Sequence, residues 1–410
     1  MADMFDYLDW FGDFGFATVP FNEVDNLILA QVSYLPLAGI VPEAGQGSVG
    51  LARAAEGYDQ RYPSQARADL GPLLSPRTNE LLGRMASCGR RYQGLRLRAF
   101  EEVLDPTTHE QFGALTFDLP DATSYVAFRG TDSSLEGWLE DCEISYRVIP
   151  SQTHALAYLR AVLADGATSR VVRVGGHSKG GNLAAFAASR LVGSELDRVA
   201  EVWCNDSPGF CDEVVPLDSL APICDRTRLH TPEYSVVGAL FRHAVKPVLI
   251  RSAGVGVMEH SAVDWQVMRG SFVPGSQLSE SSVRVVQAFS QLIDSRDLAG
   301  RKKLLDDLYE ALHAQGIQSV DDMMSRGLPG LNATVSSIQA LSAKDRQTMV
   351  DFLRGIAGGS ISGAVTDAVA PVAERLGEAW EDTKTTVQER VREGAAKALQ
   401  GLQSRPRIGE

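Results

Sequence analysis

At 410 residues, with 44% hydrophobic and 22% charged side chains, the chain has the balance of a folded globular protein and room for two or three domains. Its 39 Lys and Arg against 52 Asp and Glu leave a net charge of −13, which repels phosphate backbones and disfavours a general nucleic-acid binder. No apolar run reaches the roughly 18 residues that a membrane-spanning helix needs. Met1-Ala2-Asp3-Met4-Phe5-Asp6 carries acids where a signal peptide carries Lys or Arg, so a cytoplasmic location is expected. The five cysteines are odd in number and contain no CxxC pair, which points to free thiols rather than a disulfide framework or a zinc site.

The first ninety residues crowd their aromatics at the front, from Phe5 to Phe21. Asn22-Glu23-Val24-Asp25-Asn26 then reads as a capped helix start before the apolar Leu27-Ile28-Leu29-Ala30. Gly45, Gly47 and Gly50 mark a loop, and 65–92 reads as helical. From residue 97 the pattern turns to strands: Leu97–Leu104, Gln111–Leu119 and Ser124–Phe128, a meander broken at Asp105-Pro106 and Asp121. Helical segments at 153–164 and 182–192 bracket a strand at Arg170–Val174, and Val199–Cys204 and Thr227–His230 follow as strands. Ala239–Ala244 reads as helical and Val248–Ile250 as a last strand. Such alternation predicts an α/β protein with a mainly parallel sheet covered on both faces.

Past residue 285 the strands stop, and 286–313 and 332–356 read as helices. Gly355, Gly358, Gly359 and Gly363 form a hinge. Beyond it, apolar residues from Val365 to Leu402 recur at a spacing of about 3.5, as in a helix that packs on a partner or on the body. Contact with a membrane surface is the weaker reading, because Lys and Arg are not gathered on the polar face.

The segment that carries chemistry is Val171–Phe186, with G-x-S-x-G as Gly176-His177-Ser178-Lys179-Gly180. An apolar strand precedes it and an Ala-rich helix follows, the setting of a nucleophile elbow. A turn that sharp strains the serine and requires small residues two before and two after it, which Gly176 and Gly180 supply. A phosphate-binding loop fits worse, since Lys179 follows the serine and the G-x-x-x-x-G-K-[ST] order is absent.

A nucleophilic serine needs a base, and in this architecture the chain order is Ser, acid, His. Of His230, His243, His260 and His313 downstream, His260 begins a loop beyond the last expected strand, where the base belongs. Two acids compete. Asp206 directly follows the strand after the elbow helix but also suits a turn, whereas Glu233 lies one strand later, the usual place of the acid and the choice favoured here. The oxyanion needs two backbone N–H donors: Lys179, next after the serine, and Thr131, at the end of Phe128-Arg129-Gly130-Thr131.

The Tyr125–Asp132 and Gly176–Ala184 segments together resemble the class 3 lipase branch of the α/β-hydrolases, which pairs an F-R-G-[ST] strand end with a G-H-S-x-G-[GA] elbow. A bacterial family of unknown function within that branch is the closer resemblance, through Pro20–Asn26, Gly176–Asn182, Ser207-Pro208-Gly209-Phe210 and His260–Trp265; it spans roughly residues 5–290. It implies an α/β-hydrolase fold, Ser178 as nucleophile, His260 as base, Thr131 and Lys179 as oxyanion donors, and neither metal nor organic cofactor. One position departs: the Asp-x-Val-Pro motif that carries the acid in class 3 lipases matches Ser235-Val236-Val237-Gly238, so Glu233 substitutes or the triad is weakened.

The expectation is a serine hydrolase of carboxylic esters, lipid-like ones included. Its body would span 1–290, with a helical extension over 291–357 and the hinge and amphipathic helix over 358–410. The alternative is a weak or inactive hydrolase-fold protein that serves as a binding or scaffolding module through its C-terminal helices, with 360–402 open to a helical partner or to self-association.

Overall fold

The computed structural model describes residues 2–70, 74–132, 134–165, 171–317 and 341–356, with a few positions between 318 and 340. The chain divides into one unit over Met1–Ile361 and a second over Ser362–Glu410. The hinge and amphipathic helix expected over 358–410 lie outside the described residues.

The helix expected after Asn22 is present. It follows α1 (Met4–Phe11) as α2 (Glu23–Val32). The Asn22 side chain accepts from the N–H of Val24 at 2.9 Å, and Asp25 returns the favour by accepting from the N–H of Asn22 at 3.1 Å, a reciprocal cap. Asp25 does more than cap. It accepts from Arg91 Nε and from the Tyr92 hydroxyl, each at 2.7 Å, and both members of the Asp25–Arg91 pair are fully buried. Arg91 also donates to the carbonyls of Phe14 and Val19, so the N-terminal aromatics are tied to the body by a satisfied buried charge.

β1 (Ser48–Gly50) leads into α3 (Leu51–Arg61) and α4 (Leu81–Ser87). The helix expected over 65–92 is cut short: Pro76 starts a single 3₁₀ turn before α4, and Gly94 turns the chain at a φ of 86°. β2 (Arg96–Asp105), β3 (Glu110–Asp118) and β4 (Ser124–Phe128) form the antiparallel meander, with a bulge between Arg98 and Glu101 where Ala99 takes a φ of 53°.

From β4 onward the sheet is parallel. α5 (Leu135–Glu143) and α6 (Pro150–Ala164) lead to β5 (Val172–His177), and α7 (Lys179–Ser189) and the short α8 (Ser194–Asp197) to β6 (Val199–Asn205). β7 (Thr227–Pro232) and β8 (Val248–Ile250) complete eight strands that lie side by side in chain order. A two-stranded ribbon, β9 (Val267–Met268) with β10 (Ser271–Phe272), follows. The α/β architecture is thus the expected one. The helix expected over Ala239–Ala244 is instead a 3₁₀ turn at Val237–Ala239 followed by Phe241 at a φ of 62°.

Successive residues of β4 feed opposite cores, as strand geometry requires. Tyr125 and Ala127 pack with Leu27, Ile28, Trp203 and Trp265 on the α2 face. Val126 and Phe128 pack with Leu159, Leu183 and Phe186 on the α6 and α7 face. A third cluster joins α9 (Glu280–Asp294), α10 (Leu298–Ala314) and α11 (Ala343–Ile356) to Leu139 of α5. The stretch expected as one helix over 286–313 is two, because Asp297 accepts from the N–H of Gly300 and starts α10 anew. The five cysteines are unpaired. Among the described residues no helix is long and apolar enough to cross a membrane.

Removing the Asp25 carboxylate takes the partner from a buried guanidinium and the reciprocal half of the α2 cap together. Asp25→Ala is expected to destabilise the fold by about 3–5 kcal/mol, read as a lower midpoint in urea denaturation.

Candidate active site

The parallel strands β4 to β8 all end on the same edge, and the sequence-marked residues hang on the loops there, where α/β sheets place their ligands. Ser178 occupies the single step between β5 and α7, at a φ of 57° and ψ of −135°. That region is disfavoured for a side-chain-bearing residue and persists only where packing dictates it. Here it does. A Cβ on Gly176 would lie 2.4 Å from the Gly180 carbonyl carbon, and one on Gly180 would lie 2.1 Å from the Phe128 carbonyl oxygen. The backbones of the elbow and of the β4 end meet with no space between them. The N–H of Ser178 donates to the Asn205 carbonyl at 2.9 Å, which moors the turn to β6.

Asn182, one turn into α7, donates to the carbonyls of Pro208 and Gly209. This gives the Ser207-Pro208-Gly209-Phe210 segment its part: it is the loop against which the elbow helix is held.

His260 closes a 3₁₀ turn after β8, and its Nδ1 lies 2.6 Å from Asp206 Oδ2. Asp206 is fully buried and His260 is 9% exposed. Asp206 stands directly after β6 at a φ of 46°, its N–H donating to the His230 carbonyl at 2.7 Å. Its second oxygen accepts the Ser235 hydroxyl at 2.5 Å, and Ser235 Oγ in turn accepts the N–H of Gly238 at 2.8 Å.

The acid beside His260 is therefore Asp206, not Glu233. Glu233 faces another way: its carboxylate accepts from the N–H and hydroxyl of Ser276 at 2.7 and 2.8 Å, bonds that hold it below the usual carboxylate range. The reason is local. Asp206 continues β6 and aims into the site, whereas Glu233 is drawn to the loop that follows β10. Ser235, which stands where the resemblance places the acid, orients that acid instead. The other histidines lie elsewhere: His230 faces Glu23 at 3.2 Å, His243 meets the Gly238 carbonyl at 2.9 Å, and His313 packs on Tyr309 in the last turn of α10.

Ser178 Oγ has no hydrogen-bond partner among the described residues, and neither has His260 Nε2. The two atoms are therefore not hydrogen-bonded to each other here; in ligand-free sites such a bond is often long and tightens only when substrate is bound.

Lys179 is the first residue of α7, so its N–H has no acceptor within the helix. Its side chain turns away from the site and is fully buried: Nζ donates to Glu140 Oε2 at 2.7 Å and to the carbonyl and side-chain oxygens of Gln111, each at 2.8 Å. All three ammonium donors are used. Glu140 also accepts from the N–H of Gln111 and of Ser151. Lys179 thus fastens the elbow to α5 and β3. Thr131 lies in the loop after β4, and its hydroxyl donates to Asp141 Oδ2 at 2.6 Å. Burial pushes the Asp141 carboxyl up to about 6, against the pull of Lys179 and the Thr131 hydroxyl.

Among the described residues no group of His, Cys, Asp and Glu is arranged to hold a metal ion. A serine, a histidine and an aspartate on the carboxyl-edge loops of a mainly parallel α/β sheet are compatible with a hydrolase-like protein. The sequence profile of the Mbeg1-like family, a family of uncertain function, matches residues 86–310, which is more than half of the chain and includes every residue of this constellation. The chain belongs to the Mbeg1-like family. A search of curated proteins gives no match.

The raised Asp141 value sets a pH dependence. The fold favours the protonated carboxyl, so this group's contribution is full below its unfolded value of about 4 and is lost as pH rises through about 6. Asp141→Asn, which cannot ionise, is expected to melt higher than the parent at pH 8, with the gap closing by pH 4 in thermal denaturation.

Proposed function

We propose that the protein is a serine hydrolase that cleaves carboxylic esters, lipid-like esters included, through an acyl-enzyme at Ser178. The observation that carries this reading is the 2.6 Å contact of buried Asp206 with His260 Nδ1, on the same sheet edge as a serine held in a strained turn.

Asp206, as a carboxylate, accepts the Nδ1 proton of His260 and leaves Nε2 as the basic nitrogen. Nε2 takes the Ser178 hydroxyl proton as Oγ attacks the ester carbonyl. The tetrahedral oxyanion is met by the Lys179 N–H, with the Thr131 N–H as second donor, and the α7 N-terminus adds its positive end. The protonated His260 then gives its proton to the leaving alcohol. Water, deprotonated by the same nitrogen, releases the carboxylic acid and restores Ser178. Residues 1–290 carry all of these groups and form the hydrolase body in this reading.

Two measurements test it. A fluorophosphonate probe is expected to label the wild type and to leave Ser178→Ala unlabelled; labelling that survives the substitution sinks the assignment. On a panel of p-nitrophenyl esters, Asp206→Asn is expected to lower kcat by roughly 10³–10⁴-fold, while Glu233→Gln stays within a few-fold of wild type. The reverse ranking would restore Glu233 as the acid.

A further inference from the structure

His177 is buried and its ring lies against that of His260, with centroids 4.5 Å apart. Its Nε2 is 2.8 Å from the His260 carbonyl oxygen, and its Nδ1 is 3.1 Å from the Tyr34 hydroxyl. A carbonyl only accepts, so Nε2 carries a proton. Burial, reinforced by the neighbouring His260, holds this ring well below the ordinary imidazole range, so it is neutral and Nδ1 is bare. Nδ1 can then only accept, and the Tyr34 O–H faces two acceptors of His177, Nδ1 at 3.1 Å and the backbone carbonyl at 3.2 Å. Burial pushes the Tyr34 phenol up, which keeps it a donor. The His260 carbonyl thus sets the tautomer of His177, and Tyr34 binds the His177 residue at both its ring and its backbone.

Tyr34 stands just past α2, and its oxygen also presses on the loop after β4: a Cβ on Gly130 would lie 2.1 Å from it. One phenol thus touches the elbow and the loop leading to Thr131, and through His177 it reaches the segment that carries the base. That segment needs holding. It follows a three-residue strand, and Val255 at its start is 85% exposed. Asp206 fixes the His260 ring, and the preceding Glu259 is anchored by Trp265 Nε1 on its carbonyl and the Tyr234 N–H on its carboxylate, each at 2.9 Å; His177 adds the contact to the His260 carbonyl itself.

We propose that His177, with Tyr34 behind it, is a positioning residue that sets the place of the His260 backbone relative to Ser178, and that it acts on turnover rather than on substrate binding. The proposal rests on the serine-hydrolase reading. A displacement of about 1 Å at a reacting group lowers rates by roughly 10²-fold. His177→Leu is expected to lose about that factor in kcat at unchanged KM. His177→Gln, whose amide N–H can still reach the carbonyl, is expected to recover to within about 10-fold of wild type. Tyr34→Phe, which removes one oxygen and keeps the ring, is expected to fall between them. Adding it to His177→Leu should cause no further loss, since the two act in one chain.

Equal losses in the Leu and Gln variants, a rise in KM with kcat intact, or additive losses in the double variant would each overturn the proposal. Should His177→Leu fail to fold, the kcat-against-KM split of Tyr34→Phe and His177→Gln decides alone. Fluorophosphonate labelling separates the two levels. A wild type without Ser178-dependent labelling removes the hydrolase reading and this proposal with it; normal labelling with kcat unchanged in all three variants removes this proposal only.

Discussion

The close approach of three backbones at the carboxyl edge of the sheet is the constraint on which the rest of the site depends. The ends of β4 and β5 and the first turn of α7 converge so tightly that a methyl group at Gly176 or Gly180 would fall within 2.6 Å of neighbouring backbone. Contact of this kind cannot be relieved by a rotamer change. It leaves the chain one path between strand and helix, and that path puts Ser178 at a positive φ with its hydroxyl free of hydrogen-bond partners among the described residues. The strain is sustained by packing and by the Ser178–Asn205 backbone bond, and it gives the helix its start directly behind the serine.

Around this crossing the protein buries charge, and Lys179, Glu140 and Asp206 are each satisfied more than once. Lys179 meets three acceptors, and Glu140 receives two backbone donors besides the lysine. Asp206 takes the Ser235 hydroxyl on one oxygen and His260 on the other. Removing water from an ion costs several kcal/mol unless the full set of partners is present, so these contacts hold only in one arrangement of elbow, α5 and the loops after β6 and β7. Their contribution is therefore to uniqueness more than to net stability: a hydrophobic replacement could stabilise as well, yet it would not specify where the loops lie.

What was legible in the sequence was local. The alternating strands and helices, the capped start at Asn22 and the glycine-flanked serine all follow from residues within one turn of each other. His260 was reached by chain order, because a post-strand loop is also a local feature. That Asp206 and not Glu233 stands beside His260 escaped a local reading for the same reason. Asp206 in Asn205-Asp206-Ser207-Pro208-Gly209 reads as a turn former, and in its φ of 46° it is one; the turn aims its carboxylate inward, which no neighbour in sequence reports. His177 was read only as part of the elbow motif and Tyr34 gave no signal, since His177 meets His260 across 83 residues and Tyr34 meets His177 across 143. Helix breaks at Pro76 and Asp297 were visible residues given too little weight against apolar periodicity.

The position of the carboxylate beside His260 also shows how loosely chain order constrains such an arrangement. β6 and β7 are adjacent parallel strands, about 4.8 Å apart, so loops leaving their ends start within one side-chain length of each other. A carboxylate from either can meet a histidine arriving from beyond β8. With the acid on β6, the matching position after β7 is left to a hydroxyl, and Ser235 uses it to hold the far oxygen of Asp206 while Gly238 holds Ser235. The exchange keeps two requirements intact: one oxygen presented to the imidazole, and the other pinned so that the carboxylate cannot rotate. It is this pair of contacts, and not the strand that supplies the acid, that the chemistry proposed for Ser178 requires.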